Sequence, residues 1–190
     1  MTPPPDAPVT VVVLAGGRST RFGADKLAAP LRGTTVLDHL LSALPPEWPV
    51  VAVGTPRETV RGVRWTREDP PGGGPLAAVL AGVALCRTGT VAVVAGDMPD
   101  AAPALARLLD VLLAAGPEVE AAVAVDDEDV ANPLLAVYRT AALAARAGTP
   151  TAGVPARSLL DLVHAEVVVT GRPGRDVDTP ADLAGFDEHP

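Results

Sequence analysis

Residues 14–26 read LAGGRSTRFGADK: three glycines, two arginines and a lysine in thirteen positions, directly after the apolar run VTVVV. The adjacent glycines Gly16 and Gly17 let a ligand come close to the backbone. Arg18, Arg21 and Lys26 supply the positive charge that a triphosphate needs before a nucleophile can attack it. The loop is not a Walker A sequence, because Lys26 lies three residues beyond Gly23 and is followed by Leu27 instead of Ser or Thr. It is not GxGxxG either, a motif that relies on backbone amides and a helix N-terminus and needs no such cations. Lys26 is also the only lysine in the chain. A compact ammonium suits a point charge on a phosphate, where a guanidinium has a different geometry. Read as an exposed loop position, Lys26 is expected to matter little for stability without ligand.

Three further stretches carry polar groups where chemistry is expected. In VVAGDMPD, Asp97 ends an apolar run, a place where a carboxylate commonly holds Mg²⁺ against phosphate oxygens. Asp100 reads as the start of the next helix. In REDPPGGGPLAAVLAG, three glycines precede a helix, and Asp69 is placed to accept hydrogen bonds from a base or sugar. In GRDVDTPADL, Asp178 stands before Thr179, which resembles a helix N-cap followed by Pro. Asp178 is either a second metal ligand or an acceptor contact. The densest acidic run, DDEDV at 126–130, reads as a solvated loop.

What is missing narrows the chemistry. No Ser or Cys sits in a nucleophile elbow, Cys86 falls in a helical pattern, and no histidine accompanies Asp97 as a general base. The reaction should therefore depend on positioning and charge neutralisation. Attack by an already ionised phosphate oxygen on an α-phosphate has those needs.

These residues need a scaffold, and the chain supplies one. Its 190 residues suit one domain with a full core. The net charge is −8, with 23 acids against 15 bases, which argues against nucleic acid and anionic membrane as partners. The basic spot at 17–33 on this acidic background fits a small anionic ligand. The single cysteine excludes an internal disulfide. MTPPPDAP lacks the features of a signal peptide and reads as a disordered tail over 1–8. A cytoplasmic location is expected, with a monomer or weak homo-oligomer as the assembly.

Strands are expected at 9–15, 50–54, 61–68, 90–97, 119–126, 133–139 and 165–171, the third of them near an edge. Helices are expected at 35–44, 74–86, 102–116, 156–163 and 179–186. Continuous apolar strands alternating with helices mean a mostly parallel sheet covered on both faces. The fold class is thus α/β, a three-layer α/β/α sandwich with a Rossmann-like sheet, and the closely spaced late strands predict one antiparallel pair. Ligands of such sheets bind beyond the carboxyl ends of the strands.

LAGGRSTRFGADK, GGGPLAAVLAG, VVAGDMP, NPLLAVYR and DVDTPADL occur in the order seen in nucleotidyltransferases with a glycosyltransferase-A-like fold. Within that superfamily the chain resembles the molybdenum cofactor guanylyltransferases over residues 9–186, which would form one nucleotidyltransferase domain. LAGG resembles the guanylyl branch, whereas cytidylyl relatives usually read LAAG. The resemblance implies transfer of GMP from Mg²⁺-bound GTP to the terminal phosphate of a molybdopterin-type, phosphorylated pterin acceptor. It puts Leu14, Ala15 and Gly16 against guanine and ribose, with Gly17 and Arg18 beside them. It puts Arg21 and Lys26 on the phosphates and Asp69 on the nucleotide. Asp97 would bind both nucleotide and Mg²⁺, and Asn132, Pro133 and Asp178 would lie toward the acceptor. The chain departs from the family's usual residues at Gly54, Ala78, Gly96 and Asp178. A cytidylyl- or sugar-phosphate-directed enzyme of the same fold, or a nucleotide-binding domain without turnover, are the other readings.

Overall fold

The computed structural model describes residues 8–17, 22–149, 151 and 153–187. The expected tail lies outside these residues except for Pro8. The chain opens with β1 (Thr10–Ala15), then a short hairpin of β2 (Pro30–Leu31) and β3 (Thr34–Thr35). Next come α1 (Val36–Ala43), β4 (Val50–Gly54), β5 (Arg64–Thr66) and α2 (Pro75–Val83). The second half holds β6 (Thr90–Ala95), α3 (Ala102–Ala114), β7 (Ala121–Val125) and β8 (Ala131–Arg139). It closes with α4 (Thr140–Ala144), β9 (His164–Val168) and α5 (Pro180–Asp187). Turns of 3-10 helix lie at Lys26–Ala28, Ala156–Asp161 and Arg172–Gly174.

The main sheet has seven strands in the order β5-β4-β1-β6-β8-β7-β9. β1 lies inside it and pairs in parallel with both β4 and β6. Both faces of such a strand are covered, which is why it reads as continuous valine instead of alternating. Val11, Val13 and Ala15 join a core with Leu37, Leu40 and Leu41 of α1 and Leu105, Leu108 and Leu112 of α3. Val12 faces the opposite core with Leu76, Val79 and Val83 of α2, Leu143 of α4 and Leu159. The result is the three-layer sandwich. Leu40 and Leu105 are fully buried, and truncating either to alanine should cost about 2–5 kcal/mol. Gly82 lets α2 lie close on the sheet, since a Cβ there would meet Val12 Cγ1 at 2.5 Å.

β8 alone runs against the other strands, and it does so between β6 and β7. One antiparallel strand therefore makes two antiparallel pairs, where the spacing predicted one. The hairpin β2–β3 and the short α4 were not expected, and 156–161 is 3-10 helix. The expected third strand is short and lies at the sheet edge as β5.

Register aligns the ends of the central strands: Ala15 pairs with Gly54, and Leu14 with Ala95. Because β8 is reversed, it starts at this same edge, with Ala131 opposite Val125 and Asn132 opposite Ala124. Val168, the end of β9, also lies opposite Val125. Every loop that carries a candidate residue after β1, β6 and β9 thus leaves from one edge.

Candidate functional site

The loop after β6 is tied to β1 through Gly96, whose N–H donates to Leu14 O at 2.9 Å. Asp97 follows, and its carbonyl accepts from Val177 N–H at 2.8 Å. Val177 is fully buried in a small core with Ala29, Leu31, Val36 and Phe186. Neighbouring side chains in extended backbone alternate in direction. With Val177 turned inward, Asp176 and Asp178 meet Asp97: one carboxylate oxygen from each lies within 4.8 Å of the others.

Lys26 reaches the same carboxylates. Asp25 caps its 3-10 turn, accepting from Leu27 N–H at 3.1 Å, while Leu27 anchors the turn in the core. Arg57, from the loop after β4, holds the other oxygen of Asp25 at 2.8 Å. The Lys26 ammonium donates to Asp178 Oδ1 at 3.1 Å and makes a close ion pair with Asp97 Oδ2. The Lys26 side chain is only 18% exposed, so the expectation of a freely exposed loop lysine is corrected. It is held by carboxylates because the turn of Lys26–Ala28 packs inward through Leu27.

One ammonium faces three carboxylates, which leaves a formal local charge of −2 when all are ionised. Partial burial alone would pull the Lys26 pKa down. The hydrogen bonds and charges of Asp97, then of Asp178, outweigh it and hold the pKa above the ordinary lysine value. Asp176 titrates above the usual aspartate value, first from partial desolvation of its carboxyl and then from the charges of Asp97 and Asp178. Asp97 Oδ1 is buried and has no hydrogen-bond partner among the described residues. An unsatisfied buried carboxylate oxygen inside a net negative, all-oxygen cluster fits a hard divalent cation.

The glycine loop starts at the end of β1, the strand to which the Asp97 loop is tied through Gly96. Ala15 is buried, so it can offer a ligand only its backbone, while Gly16 and Gly17 are exposed. Leu14 packs toward the α2 core. Gly17 has φ +134°, a conformation suited to glycine. Gly54 has φ +153°, and a Cβ there would lie 2.5 Å from Ala15 O. This close approach of β4 to the start of the loop leaves no room for a side chain at position 54. A Cβ on Gly16 would meet nothing nearer than Val53 O at 3.7 Å.

Other expected residues lie elsewhere. Arg18 and Arg21 fall outside the described residues. Asp69 is exposed and lines a separate depression of about 390 Å³ with Thr66, Arg67 and residues of α2, not the Lys26 cluster. Asn132 is half-buried at the start of β8, where its Oδ1 accepts from Leu134 N–H at 2.9 Å. The β7–β8 register shifts just beyond it, and Tyr138 Oη braces the irregularity by donating to Pro133 O at 2.8 Å. Residues 126–130 form an exposed turn.

Asp100 does not open α3. That helix begins at Ala102 with no side-chain cap, and Asp100 instead faces His39, Arg32 and Arg172. Asp176 was missed by the sequence reading. Its signal was the alternation in DVD, where a buried valine implies two carboxylates on one face. Beside Asp176 and Asp178 opens a cavity of about 590 Å³, also lined by Arg172, Arg175 and Asp182.

Residues 11–174 match the MobA-like NTP transferase domain. The chain is 32% identical over 181 residues to a probable molybdenum cofactor guanylyltransferase of Deinococcus radiodurans, covering 93% of each chain. It is 34% identical over 194 residues to the protein of the same description in Mycobacterium tuberculosis, covering 95% of this chain and 94% of that one. Its fold is similar to the crystal structure of molybdopterin-guanine dinucleotide biosynthesis protein A from Archaeoglobus fulgidus. The TM-score is 0.71 at 24% identity, over 94% of this chain and 97% of that one. The match over most of the chain, the level of identity and the shared sheet agree: the protein is a nucleotidyltransferase that belongs to the MobA-like NTP transferase family.

Proposed function

We propose that the enzyme transfers GMP from Mg²⁺-bound GTP to the terminal phosphate of a molybdopterin-type cofactor and releases pyrophosphate. One observation carries this reading: Lys26 converges with Asp97, Asp176 and Asp178 at the sheet edge where the Gly16–Gly17 loop begins. The two relatives described as molybdenum cofactor guanylyltransferases support the choice of base and acceptor.

Asp97, with Asp176 and Asp178, would hold Mg²⁺. The ion would neutralise phosphate charge and favour departure of pyrophosphate. With the carboxylates so engaged, the Lys26 ammonium is available to the phosphates. Gly16 and Gly17 let the nucleotide lie against main chain. An oxygen of the acceptor phosphate bonds to the α-phosphorus, the bond from that phosphorus to the bridging oxygen breaks, and pyrophosphate leaves with the electron pair. The nucleophile is already ionised, so no general base is required, in keeping with the absence of a histidine at the cluster among the described residues.

Guanine offers donors at N1 and N2, and a site that pairs them should reject a base that lacks them. The exposed, side-chain-free face of Gly16 leaves depth for a purine. The test is pyrophosphate release with GTP, CTP or ATP, Mg²⁺ and the phosphorylated pterin acceptor. GTP should be preferred at least tenfold. Preference for CTP would move the enzyme to another branch, and release with none of the three would overturn the reading.

A further inference from the structure

The three chain segments that build the site cross twice. They first meet at Lys26, Asp97 and Asp178. A few residues further along or back they meet again, where Asp100 lies 3.7 Å from Arg32 Nη1 and 3.8 Å from Arg172 Nη1. His39 of α1 joins through Nε2, 3.1 Å from Asp100 Oδ1. The charge pattern of the second crossing inverts the first: one carboxylate stands among basic groups, where one ammonium stands among carboxylates.

Both arginines also reach the far end of α5. Arg32 Nη2 donates to Phe186 O at 2.6 Å, and Arg172 Nη2 donates to Gly185 O and Phe186 O, each at 3.2 Å. The Arg172 guanidinium lies 5.8 Å from the centre of the Phe186 ring. Asp100 thereby ties the loop that carries Asp97 to both ends of the segment that carries Asp176 and Asp178. Its side chain is 18% exposed, and the cavity beside the cluster is lined by Arg172, not by Asp100.

We infer that Asp100 is a positioning residue, which sets the affinity of the Asp97–Asp176–Asp178 cluster for a divalent cation by fixing the C-terminal segment against the Asp97 loop. The inference rests on the proposed reading of that cluster as a metal site. Groups that orient metal ligands without touching the metal commonly govern affinity by tenfold to a hundredfold. Asp100→Asn keeps the shape but loses the charge that gathers the two arginines.

The test is Mn²⁺ titration of the nucleotide-free protein, followed by the free-ion electron paramagnetic resonance signal, for the native chain, Asp100→Asn, Arg32→Ala and Asp97→Asn. Asp100→Asn and Arg32→Ala should each raise the Kd for Mn²⁺ by about tenfold or more. Saturating Mn²⁺ should restore their kcat, with KM for GTP unchanged. Asp97→Asn should bind Mn²⁺ far more weakly than either. Native-like Mn²⁺ affinity in both Asp100→Asn and Arg32→Ala overturns the inference, as does a loss of kcat that saturating metal leaves in place. If Asp97→Asn also binds like the native chain, the metal reading itself falls. Should Asp100→Asn not fold, Arg32→Ala decides. Failure of both to fold makes the cluster a structural bridge and overturns the assignment too.

Discussion

Lys26 does more than the sequence indicates. It is the only lysine, and the glycine loop around it pointed to phosphate binding. The structure adds that it pairs with the carboxylates of Asp97 and Asp178. Lys26→Ala should therefore lose turnover and also destabilise the metal-free protein, by about 1–2 kcal/mol, a reduced form of the penalty for a fully buried uncompensated charge. Mn²⁺ should return part of that stability in a thermal melt. An unchanged melting temperature would mean that the carboxylates adjust without it. Lys26→Arg should recover some stability but little activity, since the planar fork cannot replace a point charge at this spot. Asp97→Asn should lower turnover by a hundredfold or more, on the order of 3 kcal/mol in the barrier, and raise the Mg²⁺ requirement. Asp127→Asn, in the exposed turn, should change neither; equal losses in the two variants would put the metal elsewhere. Asp97 was legible because it ends an apolar strand. Asp176 was not, because nothing local shows that Val177 is buried by residues as remote as Leu31 and Phe186.

Two of the helices, α1 and α3, are closed at their C-termini by arginine. Arg61 donates to the carbonyls of Leu41, Leu44, Pro45, Pro46 and Trp48, just beyond α1. Arg139 likewise reaches Leu112, Ala115, Gly116 and Val119 around the end of α3. A guanidinium can serve several carbonyls at once and opposes the negative end of the helix dipole. Arg61→Ala should cost about 2 kcal/mol, with Arg61→Lys recovering less than half; a loss below 0.5 kcal/mol in chemical denaturation would reduce these contacts to solvent-like ones. At α5 the cap is acidic. Asp182 accepts from the N–H of Asp178 and Thr179 and from the Thr179 hydroxyl, while its own N–H donates back to Thr179 Oγ1. These bonds, the Thr179 hydroxyl first, hold its pKa below the ordinary aspartate value of 3.8. A depressed folded value means the stabilisation is complete above 3.8 and is lost as the pH falls through the lower folded value. Amide exchange at the start of α5 should quicken over that acidic range in the native chain, and Asp182→Asn should exchange quickly on both sides of it. The long elements were readable because β1, β4 and β6 are unbroken apolar runs and α1 and α3 show helical spacing. The hairpin β2–β3 was not. Its turn places Arg32 at φ +48° before Gly33 at +82°, a conformation usually announced by Asn or Asp at the first position.

For the molecule as a whole, the mostly parallel sheet was legible in the strand–helix alternation, whereas the single reversed strand that makes two antiparallel pairs was not. β8 is too apolar to show its direction. The site was half legible. Its strand-end members stood out, while the contacts made by the C-terminal segment depend on packing that brings residue 26 next to residue 178. That segment is joined to the rest through Val177 to Asp97, Lys26 to Asp178, Arg32 to α5, Arg172 to Asp100 and a small core of its own. Hydrogen exchange should resolve it as an opening unit of its own, less protected than β1 and β6, with Mn²⁺ slowing residues 172–187 selectively. Uniform protection along the chain would contradict this. The same arrangement separates the framework from the proposed metal ligands along the chain. The last strand of the sheet ends at Val168, ahead of Asp176 and Asp178. Cleavage between Val168 and Asp176, with loss of the released piece, should leave every described strand of the main sheet and remove two of the three proposed ligands. The product should be folded by circular dichroism and inert in turnover.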